Sequence, residues 1–388
     1  NMSEISILMV LAAIIFLSPY IANLIKFPIS PTEIILGIIF GAFGLLPQND
    51  LFEITANVGF YFLMFLAGTH VNIKIFITTD RKILKKSITF LAILYILSFV
   101  SVYTFDLNKI IAIIIPTMSV GLLSTLYKEY GKDEKWLNTA MVVGVIGEVV
   151  SIAIITVASA YLKSGFSTEL FTHIFALALF LIVSTLLFKG LDVLFWWYPN
   201  LKAVIMPTYD KNEKDIRFTM AIFCFVIAVM IMLDLEIVIG AFIAGTFIPT
   251  FFGYKKDLPR KLANFGYGFI VPIFFAYIGS TLDVMAIWKP GVLPNVIILI
   301  VSMLLFRILA GLVYLKELGK RGTVLFALSL YMPLTLIIAT VTVALNTNNI
   351  TKEFYDSCII ASLLEAIIAM ILIKVVFNLK IYKNKNIV

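Results

Sequence analysis

The chain has 388 residues, 61% of them hydrophobic and 14% charged, with a formal net charge of +7 and a mean hydropathy of +1.04. A soluble domain carries about 25% charged residues, so this composition excludes a soluble enzyme and a nucleic-acid surface, and the positive balance belongs to membrane topology. Two histidines and two cysteines argue against a structural zinc site, and no cofactor is expected.

The first apolar run, about 5–24, follows Glu4 rather than a basic stretch. It reads as a span and not as a signal peptide, and Asn1 ahead of Met2 reads as an addition to the natural start. Twelve more apolar segments follow, near 32–47, 53–73, 84–104, 108–127, 136–162, 168–189, 216–233, 236–251, 262–283, 291–315, 321–346 and 354–379. The expected fold is an all-α polytopic membrane protein of thirteen transmembrane helices. With the N-terminus outside, the inner loops and C-terminus hold all but five of the 30 lysines and arginines, Lys74 and Lys132 among them. The outer loops hold only Lys109, Lys163, Lys289 and Lys352, and Arg307 lies inside a span. That asymmetry supports both the count and a cytoplasmic C-terminus. Cys224 and Cys358 lie in separate apolar runs and read as buried free thiols.

Segments two and nine resemble each other. Both open on Glu (Glu33, Glu236), contain Gly-Ala-Phe, and close on Pro (Pro47, Pro249). Segments three and ten pair likewise through Gly59–Thr69 and Gly268–Thr281. The loop assignment runs segment two outward and segment nine inward, so the repeats are inverted, a layout of secondary transporters with midplane sites. Small residues four apart, Gly37 with Gly41 and Gly240 with Ala244, allow close helix approach. Segments five and twelve carry breaks at matching repeat positions, Pro116 with Gly121 and Pro333. Proline removes a backbone donor and frees a carbonyl, and such carbonyls can hold a cation. Thr117, Ser119 and Thr335 add hydroxyls beside the breaks.

Three ionisable groups lie deep: Glu148, Arg307 and Glu365. Glu148 is about 18 Å along the helix from Trp136, near mid-depth of a hydrocarbon core about 30 Å thick. Such residues face a protein or water interior and mark ion or proton paths. One guanidinium cannot pair both acids. The expected arrangement is Arg307 bracing Glu365, with Glu148 as the carrier; the alternative pairs Arg307 with Glu148. Ser151, three residues on from Glu148, shares its face and is a candidate oxygen ligand or a hydroxyl bonded back to its helix. Glu33, Asp234, Glu236 and Asp283 fall at segment ends and read as mainly solvated, with a role at an outer funnel as the alternative. His70 and His173 read as surface residues, with a pH-sensitive group as the alternative for His70, and Phe195-Trp196-Trp197-Tyr198 as an interfacial belt.

These pieces, with Pro28–Gly41, Gly59–Gly68, Ile239–Gly245 and Val271–Asp283 in this order, resemble the cation:proton antiporter superfamily, in particular its Kef-type sodium(potassium)/hydrogen exchanger branch. The resemblance implies a homodimer in which two broken helices cross at the ion site. It implies a dimerisation scaffold from 1–80 and 214–288, and a mobile core from 81–162 and 289–388. A linker helix and cytoplasmic loop span 163–213. The family's ion-binding acid falls on Glu148, its segment-eleven basic residue on Arg307, and its broken-helix hydroxyls on Thr117 and Ser119. The chain departs from the pattern at Gly147, where a polar side chain is usual, and at Glu148, where Asp is. His70 stands in place of a glutamate, and Leu334-Thr335-Leu336 in place of an arginine and a glutamate.

The expected function is exchange of Na+ or K+ for H+ across the bacterial inner membrane, by an elevator motion of the core. If Glu148 alone carries, it is neutral with either passenger, so one-for-one exchange is electroneutral. A potassium-efflux or sodium-coupled solute carrier, or a non-transporting membrane sensor, is the alternative. Membrane lipids, the cation and H+ are the partners expected.

Overall fold

The computed structural model describes residues 2–70, 81–131, 133–235 and 237–385, and every regular element among them is helical. The α-helices in chain order are α1 (Met2–Ile25), α2 (Ile29–Ala42), α3 (Asp50–Gly68), α4 (Arg81–Thr104), α5 (Ile111–Ile114), α6 (Leu123–Tyr130) and α7 (Lys135–Ser164). There follow α8 (Thr168–Trp197), α9 (Pro199–Ile205), α10 (Lys214–Met232), α11 (Ile237–Phe251), α12 (Asp257–Phe265) and α13 (Val271–Thr281). The last are α14 (Val292–Gly311), α15 (Leu315–Ser329), α16 (Leu334–Asn346) and α17 (Lys352–Lys385). Among the described residues nine helical stretches are long and apolar enough to cross a membrane, and α2, α11 and α16 are shorter apolar helices. In hydrocarbon every backbone group must be satisfied within its own segment, which is why the apolar runs are helices. Lys74, Lys132 and Glu236 lie outside the described residues, as do the side chains of Lys163 and His173.

The chain forms two units. The first gathers Asn1–Ile15, Leu46–Thr78 and Thr156–Ile278. Its main crossing is α3 on α11, where two glycines bring the backbones together. A Cβ on Gly68 would strike the Phe242 carbonyl oxygen, and one on Gly245 the Phe65 carbonyl oxygen. Edge-on rings of Phe62, Phe65, Phe223 and Phe265 fill the space beside it. A π turn, Gly266–Ile270, joins α12 to α13, and Gly266 there leaves room for Phe62 and Leu66. At the start of α10, Asp215 is buried and takes Lys261 at 3.1 Å and Lys255 at 3.8 Å. Just upstream, Asp210 accepts backbone N–H bonds from Asn212 (3.1 Å) and Asp215 (2.9 Å). Those amide donors hold its carboxyl well below the usual carboxylate range. Trp196, Trp197 and Tyr198 are exposed, and so is His70.

The second unit gathers Phe16–Leu45, Thr79–Ile155 and Gly279–Val388. Here α2 meets the end of α13, again through glycine. A Cβ on Gly279 would strike the Ile34 carbonyl oxygen, and one on Gly41 would lie 2.8 Å from Ser280 Cα. Between α14 and α16 the chain turns at Gly319, whose φ of 68° and ψ of 175° interrupt α15; a positive φ of this kind favours glycine. Phe90, Tyr314 and Phe326 meet at tilted and edge-on angles and tie α4 to this turn. Two expectations are corrected. Glu33 is only 3% exposed and accepts from Ser18 Oγ at 3.4 Å, because α2 begins at Ile29 and carries it a full turn into the packed helix. Cys358 is buried but Cys224 is exposed, since it lies on the outward side of a helix packed on one face.

Candidate functional site

Both proline-bearing segments are interrupted. After α5 the chain leaves the helix over 115–122 and resumes with α6; after α15 it leaves over 330–333 and resumes with α16. Pro116 offers no N–H to the Ala112 carbonyl one turn back. Ser98 Oγ on α4 donates to that carbonyl instead, at 3.1 Å. Pro333 stands at φ −85°, ψ 38° as the residue before α16, and its carbonyl accepts from Ile337 N at 3.0 Å.

The two breaks meet at α7 and α14. Glu148, on α7, has no exposed surface. Ser119 Oγ donates to its Oε1 at 3.3 Å and lies 2.9 Å from Thr335 Oγ1, the first turn of α16. The Gly121 amide also points to Ser119 Oγ, at 3.4 Å. Ser119 thus links the carboxylate, its own break and the opposite one. Oε2 of Glu148 is buried without a hydrogen-bond partner among the described residues. A buried carboxylate oxygen with no donor is costly.

Gly147 and Ser151 hold the first break against α7. A Cβ on Gly147 would lie 2.5 Å from Met118 Sδ, so the Met118 side chain fills the space that a larger residue there would use. Ser151 Oγ accepts from the Met118 amide at 3.1 Å. Ser151 shares a face with Glu148 as expected, but its hydroxyl supports backbone. Thr117 is buried, and its hydroxyl donates back to Ile113 O at 2.7 Å. It is not aimed at Glu148.

Arg307 corrects the charge arrangement. Its Nε donates to Leu330 O (2.9 Å), Nη1 to Ile115 O (2.7 Å) and Met303 O (3.1 Å), and Nη2 to Thr117 O (2.6 Å). The guanidinium therefore clamps the freed carbonyls of both breaks, which sequence reasoning offered to the transported ion. A planar fork with five donors suits several acceptors at once. Glu365, fully buried on α17, has no hydrogen-bond partner on either oxygen among the described residues. The hydrogen-bonded pair expected with Arg307 is not formed: all the Arg307 donors go to carbonyls. Met118, Ser98 and Tyr331, whose hydroxyl donates to Ile300 O at 2.7 Å, were missed by sequence reasoning. Pro116 marks Ala112 O as an orphan, but nothing in the sequence names the donor that reaches it.

The model of the sodium/hydrogen exchanger, transmembrane, family matches residues 11–379. The chain belongs to this family. It is a transporter by family and not an enzyme. YjbQ of Bacillus subtilis strain 168 is 27% identical over 99% of this chain, which spans 64% of that protein's length. The Methanocaldococcus jannaschii protein named "Probable Na(+)/H(+) antiporter 3" is 24% identical over 97% of both chains. The solved structure of the sodium proton antiporter MjNhaP1 from Methanocaldococcus jannaschii at pH 8 aligns with a TM-score of 0.65 and 17% identity. That alignment covers 97% of this chain and 99% of that one, and shows the shared fold.

Proposed function

We propose that this chain exchanges a monovalent cation, Na+ or K+, for H+ across the bacterial inner membrane, with Glu148 as the shared site. The observation that carries the reading is the bare, buried Oε2 of Glu148 set between two interrupted helices. Alkali cations take oxygen ligands, and this carboxylate oxygen with the hydroxyls of Ser119 and Thr335 is such a set. A carboxylate can hold a proton or the cation but not both, so binding one expels the other. Loaded with either, Glu148 is neutral, and one-for-one exchange is electroneutral. The names of both relatives contain Na(+)/H(+) antiporter, which supports the ion pair.

The wider reading is of thirteen spans in inverted repeats, with the N-terminus outside and the C-terminus cytoplasmic, on the Kef-type branch. The packing supports the repeat. Segment two crosses the end of segment ten as segment nine crosses segment three, each through glycines against backbone, and the repeat exchanges these two pairs. The core, built around Glu148 and both breaks, carries its passenger by an elevator motion within a homodimer. The test is proteoliposomes containing a pH-sensitive dye. Added Na+ or K+ is expected to move protons with the wild type and not with Glu148→Gln, while the variant still inserts. Undiminished exchange by Glu148→Gln places the site elsewhere.

A further inference from the structure

We propose that the Thr342 hydroxyl holds the incoming cation, still hydrated, on its way from the outer face to Glu148. The inference rests on the exchange proposed above and on the topology proposed with it. It adds a binding group that the exchange does not by itself require.

Thr342 lies in the second half of α16, and its Oγ1 is buried with no hydrogen-bond partner among the described residues. A hydroxyl within a helix commonly donates to the carbonyl four residues back, and the neighbouring hydroxyls do so. On α16, Thr340 donates to Leu336 O at 2.7 Å and Thr347 to Val343 O at 2.9 Å. On α17, which packs along α16, Ser357 donates to Glu353 O and Ser362 to Cys358 O, each at 2.7 Å. For Thr342 that carbonyl is Ile338 O, and its hydroxyl makes no bond there. A bare buried hydroxyl is costly, and water or a hydrated solute is what offsets it.

The course of the helix says which solute. At 3.6 residues per turn, Thr342 returns to within about 20° of Thr335, about 10 Å further along. Thr335 is the hydroxyl beside Ser119, which in turn donates to Glu148. Asn346, one turn beyond Thr342 on the same face, is exposed. Thr342 therefore stands between an exposed amide and the carboxylate site. Past the end of α16, Asn348 and Asn349 line a cavity of about 780 Å³ together with Asp106, Asn295 and Glu353. Lys289 also lines it, but is engaged by Asp283 at 3.3 Å and by Glu353 at 3.8 Å. Carboxylate and amide oxygens beside the carbonyl end of a helix favour a cation. A hydroxyl both donates and accepts, so Thr342 can take a water of the ion's shell before the ion reaches Glu148.

The test compares right-side-out and everted membrane vesicles from cells without other sodium exchangers, with added Na+ driving proton movement. Thr342→Val keeps the shape and removes the hydroxyl. It is expected to raise the apparent KM for Na+ at the outer face by about two- to tenfold, the worth of one hydrogen bond, and to leave the cytoplasmic-face KM unchanged. Thr342→Ser is expected to restore the wild-type value, and Thr340→Val, whose hydroxyl serves Leu336 O, to leave both faces unchanged. In detergent, Thr342→Val is expected to melt at or above the wild type, because the lost hydroxyl has no protein partner. A wild-type outer KM in Thr342→Val overturns the inference and leaves the exchange standing. A KM raised at the cytoplasmic face, alone or equally, overturns the outer placement. A lowered melting temperature shows a structural hydroxyl and overturns the assignment. A wild type that moves no protons with Na+ or K+ removes the exchange reading and this inference with it.

Discussion

Replacing Arg307 by glutamine removes the donors of three buried carbonyls at once. Ile115 O and Thr117 O belong to the first break and Leu330 O to the second, so none has a helical N–H to fall back on. Met303 O lies within α14 and retains its helical partner. A buried acceptor left unsatisfied costs about 1–3 kcal/mol. Three give about 3–9 kcal/mol, and relaxation or entering water draws the sum toward about 3–5 kcal/mol. For a domain of this size that is a fall of about 10 °C in melting temperature. The assay is thermal unfolding of the purified protein in detergent, alongside proton exchange in proteoliposomes. Arg307→Gln is expected to lose both stability and exchange. Arg307→Lys is expected to recover part of each, because an ammonium has three donors but no planar fork. Melting within two or so degrees of the wild type (~2 °C), with full exchange, would show that the carbonyls do not need the guanidinium and refute the clamp.

Further outcomes follow from the same geometry. Gly147→Ala places a methyl 2.5 Å from Met118 Sδ and is expected to cost about 1–3 kcal/mol of stability by overpacking; Met118→Ala in the same chain should restore most of it in a melting experiment. Ser119→Ala removes the hydroxyl shared by Glu148 and Thr335 and is expected to raise the apparent KM for the cation about tenfold, the size of one charge-assisted hydrogen bond. Thr117→Val should leave that KM within about twofold, since its hydroxyl serves Ile113 O; equal effects of the two variants would misplace the ligand set. Asp210→Ala is expected to speed amide exchange at Asn212 and Asp215 at pH 7. Because the folded carboxyl lies below its unfolded value, this protection is full above about pH 4 and shrinks as pH falls further, so the difference from wild type should fade in acid.

Much of the site was legible in the sequence, for reasons that separate its members. Glu148 stands out because a carboxylate is costly in an apolar run, whatever it contacts. The breaks stand out because Pro116 and Pro333 cannot donate, which is a local property of the chain. The destination of Arg307 was not legible. Its acceptors are backbone carbonyls from residues 115, 117 and 330, which any side chain would present, so no residue type announces them. Ser151 shows the same limit. Its spacing from Glu148 correctly placed it on that face, but its partner is the Met118 amide, 33 positions earlier. Gly147 read as a missing ligand, and the structure adds why a larger residue has no room there. Glu33 misled because its position near a segment end suggested water, while the helix had already begun at Ile29.

The Arg307 clamp has a bearing on how the passenger leaves. Helices severed in mid-membrane would ordinarily need an incoming ion to knit their loose ends, and departure of that ion would unravel them. A permanent occupant bolted to those ends does the knitting instead. In the proposed exchange the vacated chamber can therefore keep its shape between one guest and the next, and holding the guest is left to Glu148 and its hydroxyls.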